Sequence, residues 1–428
     1  MKRTYIRDVL PDMPCKVQGF VENIRDKKTM AFLVIRDITG KIQVTVEKES
    51  LPDIAAAVSQ LTPDSVVTVT GKAAANPYVK LNGIELIPDS ITLESRAEAL
   101  PIEENSAIDV RLDYRWIDLR SERNTLIFKA QTSMAAAIRD FLLKHNFLEF
   151  HSPKIISAAS ESGAEVFKLN YFGRDAFLAQ SPQFYKQMAM AGGFERIFEV
   201  GPVFRAEKSN TSKHATEFTG LDLELSYIDS YKDIMLLEEE MLHETLTKIR
   251  ERHGDDIRRL FNLEVAVPAR PFPVMTLREV YAELKTRYGF SVPESEQGDL
   301  TTEAEKLTYR LVQDAFGHEF LFVTDFSVEK RPFYHMRKDG VPQGFDLIWK
   351  GVEITTGAQR DHRYNILKQQ ADEKGLGQDV KFYMEFFRYG CPPHGGFGLG
   401  IDRLTMILLG LAIKEAMFVF RGPDRLNP

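Results

Sequence analysis

The spacing of hydrophobic positions changes character near residue 100. Up to that point apolar and polar residues alternate over short runs, the signature of strands with one face buried. Lys16 to Val21 alternates, Ala31 to Asp37 (AFLVIRD) reads as a buried run, Thr39-Gly40 makes a turn, and Lys41 to Val46 alternates again. Val66 to Val69 and Gly83 to Ile87 supply two more strands, and Asp53 to Leu61 reads as a short helix between the two halves.

Five strands with a helix after the third predict an OB-fold barrel, which commonly binds oligonucleotides; a small barrel of unrelated purpose has the same pattern. This gives a first domain at residues 1–100, and the acidic, Pro101-containing stretch that follows predicts a linker at 101–120. Within 121–428 the period lengthens. Leu126, Ile127, Ala130, Met134, Ala137, Ile138, Phe141 and Leu142 recur at helical spacing, predicting a helix from Asn124 to His145 with Asn124 as its N-cap. Ser152-Pro153 then ends any regular ladder. Strands are expected at Arg196 to Phe204, Gly220 to Ile228, Phe320 to Thr324, Gly344 to Trp349 and Gly351 to Thr356. An acidic helix runs from Tyr231 to about Arg252, inside a more variable helical part at about 231–315, and a Gly-rich segment enters a final helix, Asp402 to Leu411. The expected class is α+β, a barrel followed by a mostly antiparallel sheet flanked by helices.

Composition narrows the function. The 428 residues are 43% hydrophobic and 27% charged, as in ordinary globular proteins. No apolar run is long enough to span a membrane, and Met1 to Leu10 is charged where a signal peptide needs an apolar stretch, so a cytoplasmic enzyme is expected. Cys15 and Cys391 lie far apart without zinc-ligand spacing, and both are expected as reduced thiols. The net charge of -7 argues against a protein that coats nucleic acid non-specifically. Residues 1–100 balance 13 Lys+Arg against 13 Asp+Glu, so any basic footprint is local.

Three segments carry chemistry. Phe204-Arg205-Ala206-Glu207 ends a strand, and after a polar loop a second strand from Glu217 brings Phe218 opposite. Such a hairpin can grip a phosphate with a guanidinium fork while the ring stacks a base, although surface Arg-Glu pairs on hairpins are common. His394 to Arg403 is no dinucleotide fingerprint, since its glycines are not spaced GxGxxG. Small residues followed by Arg403 in the first turn of a helix instead suit a polyphosphate, or plain packing on a sheet. Asp346 and Glu353, on neighbouring strands, can offer oxygens to Mg²⁺ or be a solvated acid pair.

These segments stand in the order and context of the class II aminoacyl-tRNA synthetases, and nearly the whole chain resembles the aspartyl-tRNA synthetases of archaeal and eukaryotic type. Ser152-Pro153 after a long helix resembles motif 1, Phe204 to Glu207 with Asn210 to His214 and Glu217 to Asp222 resembles motif 2, and Gly398 to Arg403 resembles motif 3. Gln180 to Gln187 (QSPQFYKQ) and Thr356-Gly357-Ala358-Gln359-Arg360 are similar to the aspartate-binding segments.

The resemblance implies activation of L-aspartate with ATP to aspartyl-adenylate and transfer to the 3′ end of tRNA(Asp), with use of tRNA(Asn) left open. It implies Arg205 on the α-phosphate, Arg403 on the γ-phosphate, and Phe218 on adenine, with Glu207, Lys213 and His214 also at ATP. Lys186 and Arg360 would pair with the substrate's side-chain carboxylate, Gln183 and Asp222 would address its amino end, Glu161 belongs to a loop closing on it, and Thr356 lends a hydroxyl. Asp346, Glu353 and Thr356 would hold Mg²⁺. The motif 1 element implies a homodimer. In the barrel, Phe32 and Gln43, with Arg25 and Glu85, would read the anticodon, although Phe32 also suits a strand core. Lys213 stands where the family usually has arginine, Thr356 replaces a frequent serine, and Glu22 matches neither usual choice at its position. An asparaginyl synthetase or a tRNA-independent amide ligase on the same core are the alternatives.

Overall fold

The computed structural model describes residues 1–157, 166–208, 213–377 and 380–428, so Glu161 and Asn210 to Ser212 lie outside the described residues. The chain divides into two units, Met1–Ala107 and Ile108–Pro428.

The first unit is a closed barrel of β1 (Pro14–Asp26), β2 (Met30–Asp37), β3 (Gly40–Glu47), β4 (Val66–Ala75) and β5 (Ile84–Ser95), joined in the order β1-β2-β3-β5-β4. Period-two alternation builds it: Ala31, Leu33 and Ile35 point inward with Val44, Val46, Val67 and Val69, leaving Phe32 on the outer face. Helix α1 (Pro52–Val58) starts with proline in its first turn and buries Ile54 and Val58 against that core.

The second unit begins inside the stretch read as a linker. Its charges are internal partners, and Ile108–Asp113 and Arg115–Asp118 are short helices. The buried Arg115 guanidinium donates to the carbonyls of Glu415 at 2.9 Å, Met417 at 2.7 Å and Phe418 at 3.1 Å, and pairs with Asp118. Helix α2 spans Glu122–Lys144, and its N-cap is Ser121, not Asn124. Asn124 is buried and donates its side-chain amide to Asp118 O.

The eight-stranded sheet contains β6 (Leu148–Glu149), β7 (Arg196–Phe204), β8 (Glu217–Ser226), β9 (Val274–Thr276), β10 (Phe320–Thr324), β11 (Gly344–Trp349), β12 (Val352–Arg360) and β13 (His394–Gly400). Its order is β9-β10-β11-β12-β13-β8-β7-β6, antiparallel except at the two edge pairs. One face is apolar: Leu221, Leu223 and Leu225 of β8, with Phe397 and Leu399 of β13, pack in one core with α2 and α4 (Tyr231–Phe261). The intervening residues, Gly220, Asp222 and Glu224 on β8 and Gly396, Gly398 and Gly400 on β13, take the opposite face, where the cleft lies. The acidic helix α4 runs a further two turns beyond the expected Arg252 and stops at Asn262, which is left-handed at φ 55°. The variable part holds α5 (Leu277–Tyr288) and α6 (Thr302–Phe316), which pack with β10 in a separate apolar cluster.

Candidate active site

The cleft on the polar face of the sheet has a cavity volume of about 400 Å³. Helix α3 (Gln183–Ala191) closes one end, and α7 (Ile401–Leu409) starts at the other. Gly396 makes the floor possible. A Cβ there would sit 2.0 Å from Leu223 O and 2.5 Å from Glu224 Oε2, so any side chain would displace β8 or its carboxylate.

At the α7 end, Arg205 leaves the tip of β7 with its guanidinium 5.4 Å from the Phe218 ring centroid, and Glu207 lies 3.8 Å from it. Arg403 occupies the first turn of α7 and donates to Glu353 O at 2.7 Å. Asp402 anchors that turn by accepting from Thr219 N at 2.7 Å and Gln131 Nε2 at 2.8 Å. Lys213 and His214 complete the wall. Burial, helped by the cations Arg403, Lys213 and Arg205, lowers the His214 pKa, with Glu207 opposing; the imidazole is therefore neutral at neutral pH. The wall presents an aromatic face beside a row of cations, an arrangement suited to a purine with a polyphosphate tail.

At the α3 end the groups are buried and paired. Arg360 donates to Glu224 Oε1 at 3.1 Å, Gly396 O at 3.0 Å and Gln183 Oε1 at 3.3 Å. It also donates to His335 Nε2 at 3.3 Å, which places the His335 proton on Nδ1, an atom with no hydrogen-bond partner among the described residues. Burial, reinforced by Arg360, holds His335 well below the usual histidine range. Burial alone would raise Glu224, but Arg360 and Lys186 outweigh it and hold the carboxyl below its ordinary pKa.

Lys186, expected to pair with Arg360 on the substrate's side-chain carboxylate in a buried double-cation site, is enclosed by acceptors. It is wholly buried and does not line the cleft. Four oxygens occupy it: Asp222 Oδ1 at 2.9 Å, Glu224 Oε2 at 3.4 Å, and the carbonyls of Leu223 at 3.3 Å and Phe397 at 3.2 Å. A buried ammonium gathers such partners because an unpaired one is costly. Gln183, Asp222, Thr356 and Arg360 do line the cleft.

The acids expected at Mg²⁺ divide as well. Glu353 and Thr356 face the cleft, and the Thr356 hydroxyl donates to Glu353 Oε1 at 3.1 Å. These oxygens fit a hard divalent cation whose remaining positions phosphate and water would fill. Asp346, opposite Thr356 in register, is instead held by Arg331 in a bidentate pair at 3.0 and 2.6 Å. Burial and the neighbouring Glu353 raise its pKa while Arg331 opposes. Among the described residues, no group of three or more His, Cys, Asp or Glu side chains is arranged to hold a metal by itself.

The barrel gathers its four predicted residues on one outer patch. Arg25 pairs in register with Phe32, its guanidinium 5.4 Å from the ring centroid, and donates to Gln43 Oε1 at 3.4 Å. Gln43 sits in register with Glu85, which accepts from Asn76 at 2.8 Å and from Thr45.

Residues 107–420 match the model of class II tRNA synthetases (D, K and N), and residues 15–94 match that of the OB-fold nucleic acid binding domain. The chain is a class II tRNA synthetase. Synthetases of this class use ATP as a substrate. An aspartate–tRNA(Asp/Asn) ligase of Methanopyrus kandleri is 40% identical, with 100% of each chain covered. An aspartate–tRNA(Asp) ligase of Pyrococcus abyssi is 39% identical, with 99% of this synthetase and 98% of the relative covered. The solved asparaginyl-tRNA synthetase of Pyrococcus horikoshii, complexed with asparaginyl-adenylate, superposes with a TM-score of 0.91 at 30% identity, covering 100% of both chains.

Sequence reasoning missed Glu224, His335 and Arg331. Glu224 was signalled by LDLEL, in which the alternation puts it on the same polar face as Asp222, opposite the leucines. The roles of His335 and Arg331 had no local signal, because their partners lie 25 and 15 residues away.

Proposed function

We propose that this synthetase joins L-aspartate to tRNA(Asp) in two steps, adenylate formation with release of pyrophosphate and then transfer to the 3′ end of the tRNA. The reading is carried by Arg360, a buried guanidinium at the cleft wall that can only donate. A side-chain carboxylate makes a charge-assisted bond to it, stronger than the neutral bond that the carbonyl oxygen of an amide would make. Asp222 and Glu224 balance Lys186 and Arg360, so this end of the cleft is neutral before substrate arrives and can take an ammonium toward Asp222 and Gln183 and a side-chain carboxylate toward Arg360, leaving the α-carboxylate to face the phosphates.

Catalysis is then positioning plus charge neutralisation. Phe218 stacks adenine, Arg205 holds the α-phosphate where the substrate's α-carboxylate attacks, and Arg403 draws the pyrophosphate end aside. One phosphorus–oxygen bond forms as another breaks, and no protein group is acylated. Glu353 and Thr356 would hold Mg²⁺, which when bound adds positive charge against the phosphates. The barrel patch of Arg25, Phe32, Gln43 and Glu85 takes the anticodon, and we place the homodimeric enzyme in the cytoplasm with its substrates. Among the described residues, no helix is long and apolar enough to cross a membrane.

A second reading, that tRNA(Asn) is also aspartylated, draws on the relatives from Methanopyrus kandleri and Aeropyrum pernix, both aspartate–tRNA(Asp/Asn) ligases. ATP–pyrophosphate exchange with each amino acid, followed by charging of tRNA(Asp) and tRNA(Asn) side by side, tests both. Exchange driven by asparagine or lysine in place of aspartate overturns the first; no aspartylation of tRNA(Asn) overturns the second.

A further inference from the structure

The hairpin carrying Glu353 rests on a helix that has so far had no part in the chemistry. At its turn Gly351, φ +74°, passes so close to α6 that a Cβ would lie 2.9 Å from Glu305 O and 3.1 Å from Lys306 Cα. This contact fixes where α6 runs past the site. Glu305 N donates to Thr301 O at 2.8 Å and Glu305 O accepts from Thr308 Oγ1 at 2.5 Å, so the backbone is held from both sides. The Glu305 carboxylate then reaches Lys213 Nζ at 2.5 Å.

The two ends of this ion pair differ in what they face. Lys213 lines the cleft beside Arg403 and Glu353, whereas Glu305 stands behind the wall. Only 10% of the Glu305 side chain is exposed, and burial raises its pKa while Lys213 opposes. A carboxylate placed among phosphate-binding groups repels substrate unless a cation stands between, and Lys213 is that cation.

We propose that Glu305 is a positioning residue for the nucleotide: it fixes the Lys213 ammonium toward the phosphates, and the α5–α6 segment is the scaffold that delivers it. The proposal rests on the reading of this cleft as an ATP site. Lysine is a point charge on a flexible stem and lacks the preorganised fork of arginine, so it needs an external anchor to hold one direction. The α6 helix is rigid enough to provide one, since Leu311 and Val312 pack with Val280, Leu284, Leu321 and Val323 in a shared core.

The test is aspartate-dependent ATP–pyrophosphate exchange in Glu305→Gln, Lys213→Met, the double variant, and Glu305→Gln with Lys213→Arg. Glu305→Gln is expected to raise KM for ATP about tenfold, the loss of one charge-assisted hydrogen bond, while KM for aspartate stays within about twofold. The double variant should be no worse than Lys213→Met, and Lys213→Arg should recover most of the loss because its fork is preorganised. An unchanged or lowered KM for ATP, an equal rise in KM for aspartate, or additive losses in the double variant overturns the proposal. If Glu305→Gln does not fold, Glu305→Asp, which withdraws the charge by one methylene, must raise KM for ATP selectively. Failure of the functional reading shows separately, as no aspartate-dependent exchange by the unsubstituted chain. Equilibrium ATP binding then replaces exchange as the readout, and Glu305→Gln must still weaken it.

Discussion

The Arg360 guanidinium and the Glu224 carboxylate meet at 3.1 Å, the acid wholly buried and the arginine nearly so, at the wall of the cleft. Lys186 lies 3.4 Å from the second Glu224 oxygen, so one acid serves two cations. Removing the acid leaves two buried positive charges with a single remaining carboxylate, Asp222.

Glu224→Ala is therefore expected to cost about 3–5 kcal/mol of stability and to raise KM for aspartate by more than tenfold. KM for ATP should hardly move, because Arg205 and Arg403 lie at the other end of the cleft. Denaturant unfolding with exchange kinetics checks both parts; an equal rise in both KM values would refute the local role.

A second buried acid predicts a pH effect. Glu238 on α4 is fully buried, accepts from Thr355 Oγ1 at 2.5 Å, and burial pushes its pKa up to about 8. Its folded pKa lies above the unfolded one, so the folded chain holds the extra proton. The contribution to stability is complete below the unfolded value and is lost as pH rises from about 4.5 to about 8. Glu238→Gln should remove this slope, and its stability relative to the parent should grow by up to about 1.4 kcal/mol per pH unit within that window. Urea unfolding at a series of pH values measures the difference, and a difference independent of pH would count against a neutral Glu238.

Phe32 lies on the outer face of β2 beside Arg25 and away from the barrel core. Phe32→Ala should lose roughly 1–3 kcal/mol from tRNA charging, the worth of one stacked base, and leave pyrophosphate exchange intact. If exchange falls as far as charging, the ring is structural.

The edge strand β6 leaves Leu148 56% exposed, and Ile155, a few residues on, is 48% exposed. An unprotected edge with apolar neighbours suits a two-fold contact between copies. Light scattering at micromolar concentration should return twice the 48.8 kDa chain mass, and Leu148→Lys should shift it toward the monomer. A monomeric mass for the parent chain would rule this out.

Much of this architecture could be read from local periodicity. The barrel strands and the arginine–phenylalanine hairpin of Arg205 and Phe218 were legible because alternation and a turn specify them within a few residues. Which charge neutralises which was not. Asp346 and Lys186 read as ligands for a cation and a substrate, but their partners within the chain, Arg331 for the first and Asp222 with Glu224 for the second, were not legible. These pairings join separate strands and loops, and only the folded register decides them. The short helices inside the stretch read as a linker were hidden for the same reason, since Arg115 and Asp118 look like solvated charges until the carbonyls near Phe418 are seen to accept from Arg115.

The alternation on β8 and β13 has a consequence for how errors in this chain express themselves. The leucines that seal the core and the acids that shape the cleft are successive residues of one strand, so a one-residue slip would exchange them wholesale. Misregistered copies would expose Leu221, Leu223 and Leu225 while burying Asp222 and Glu224 among hydrocarbon. A protein slipped in this way would fail to fold before it could misacylate. Fidelity in the chemistry is thus guarded first by strand pairing, since a chain in the wrong register has no cleft in which to activate any amino acid.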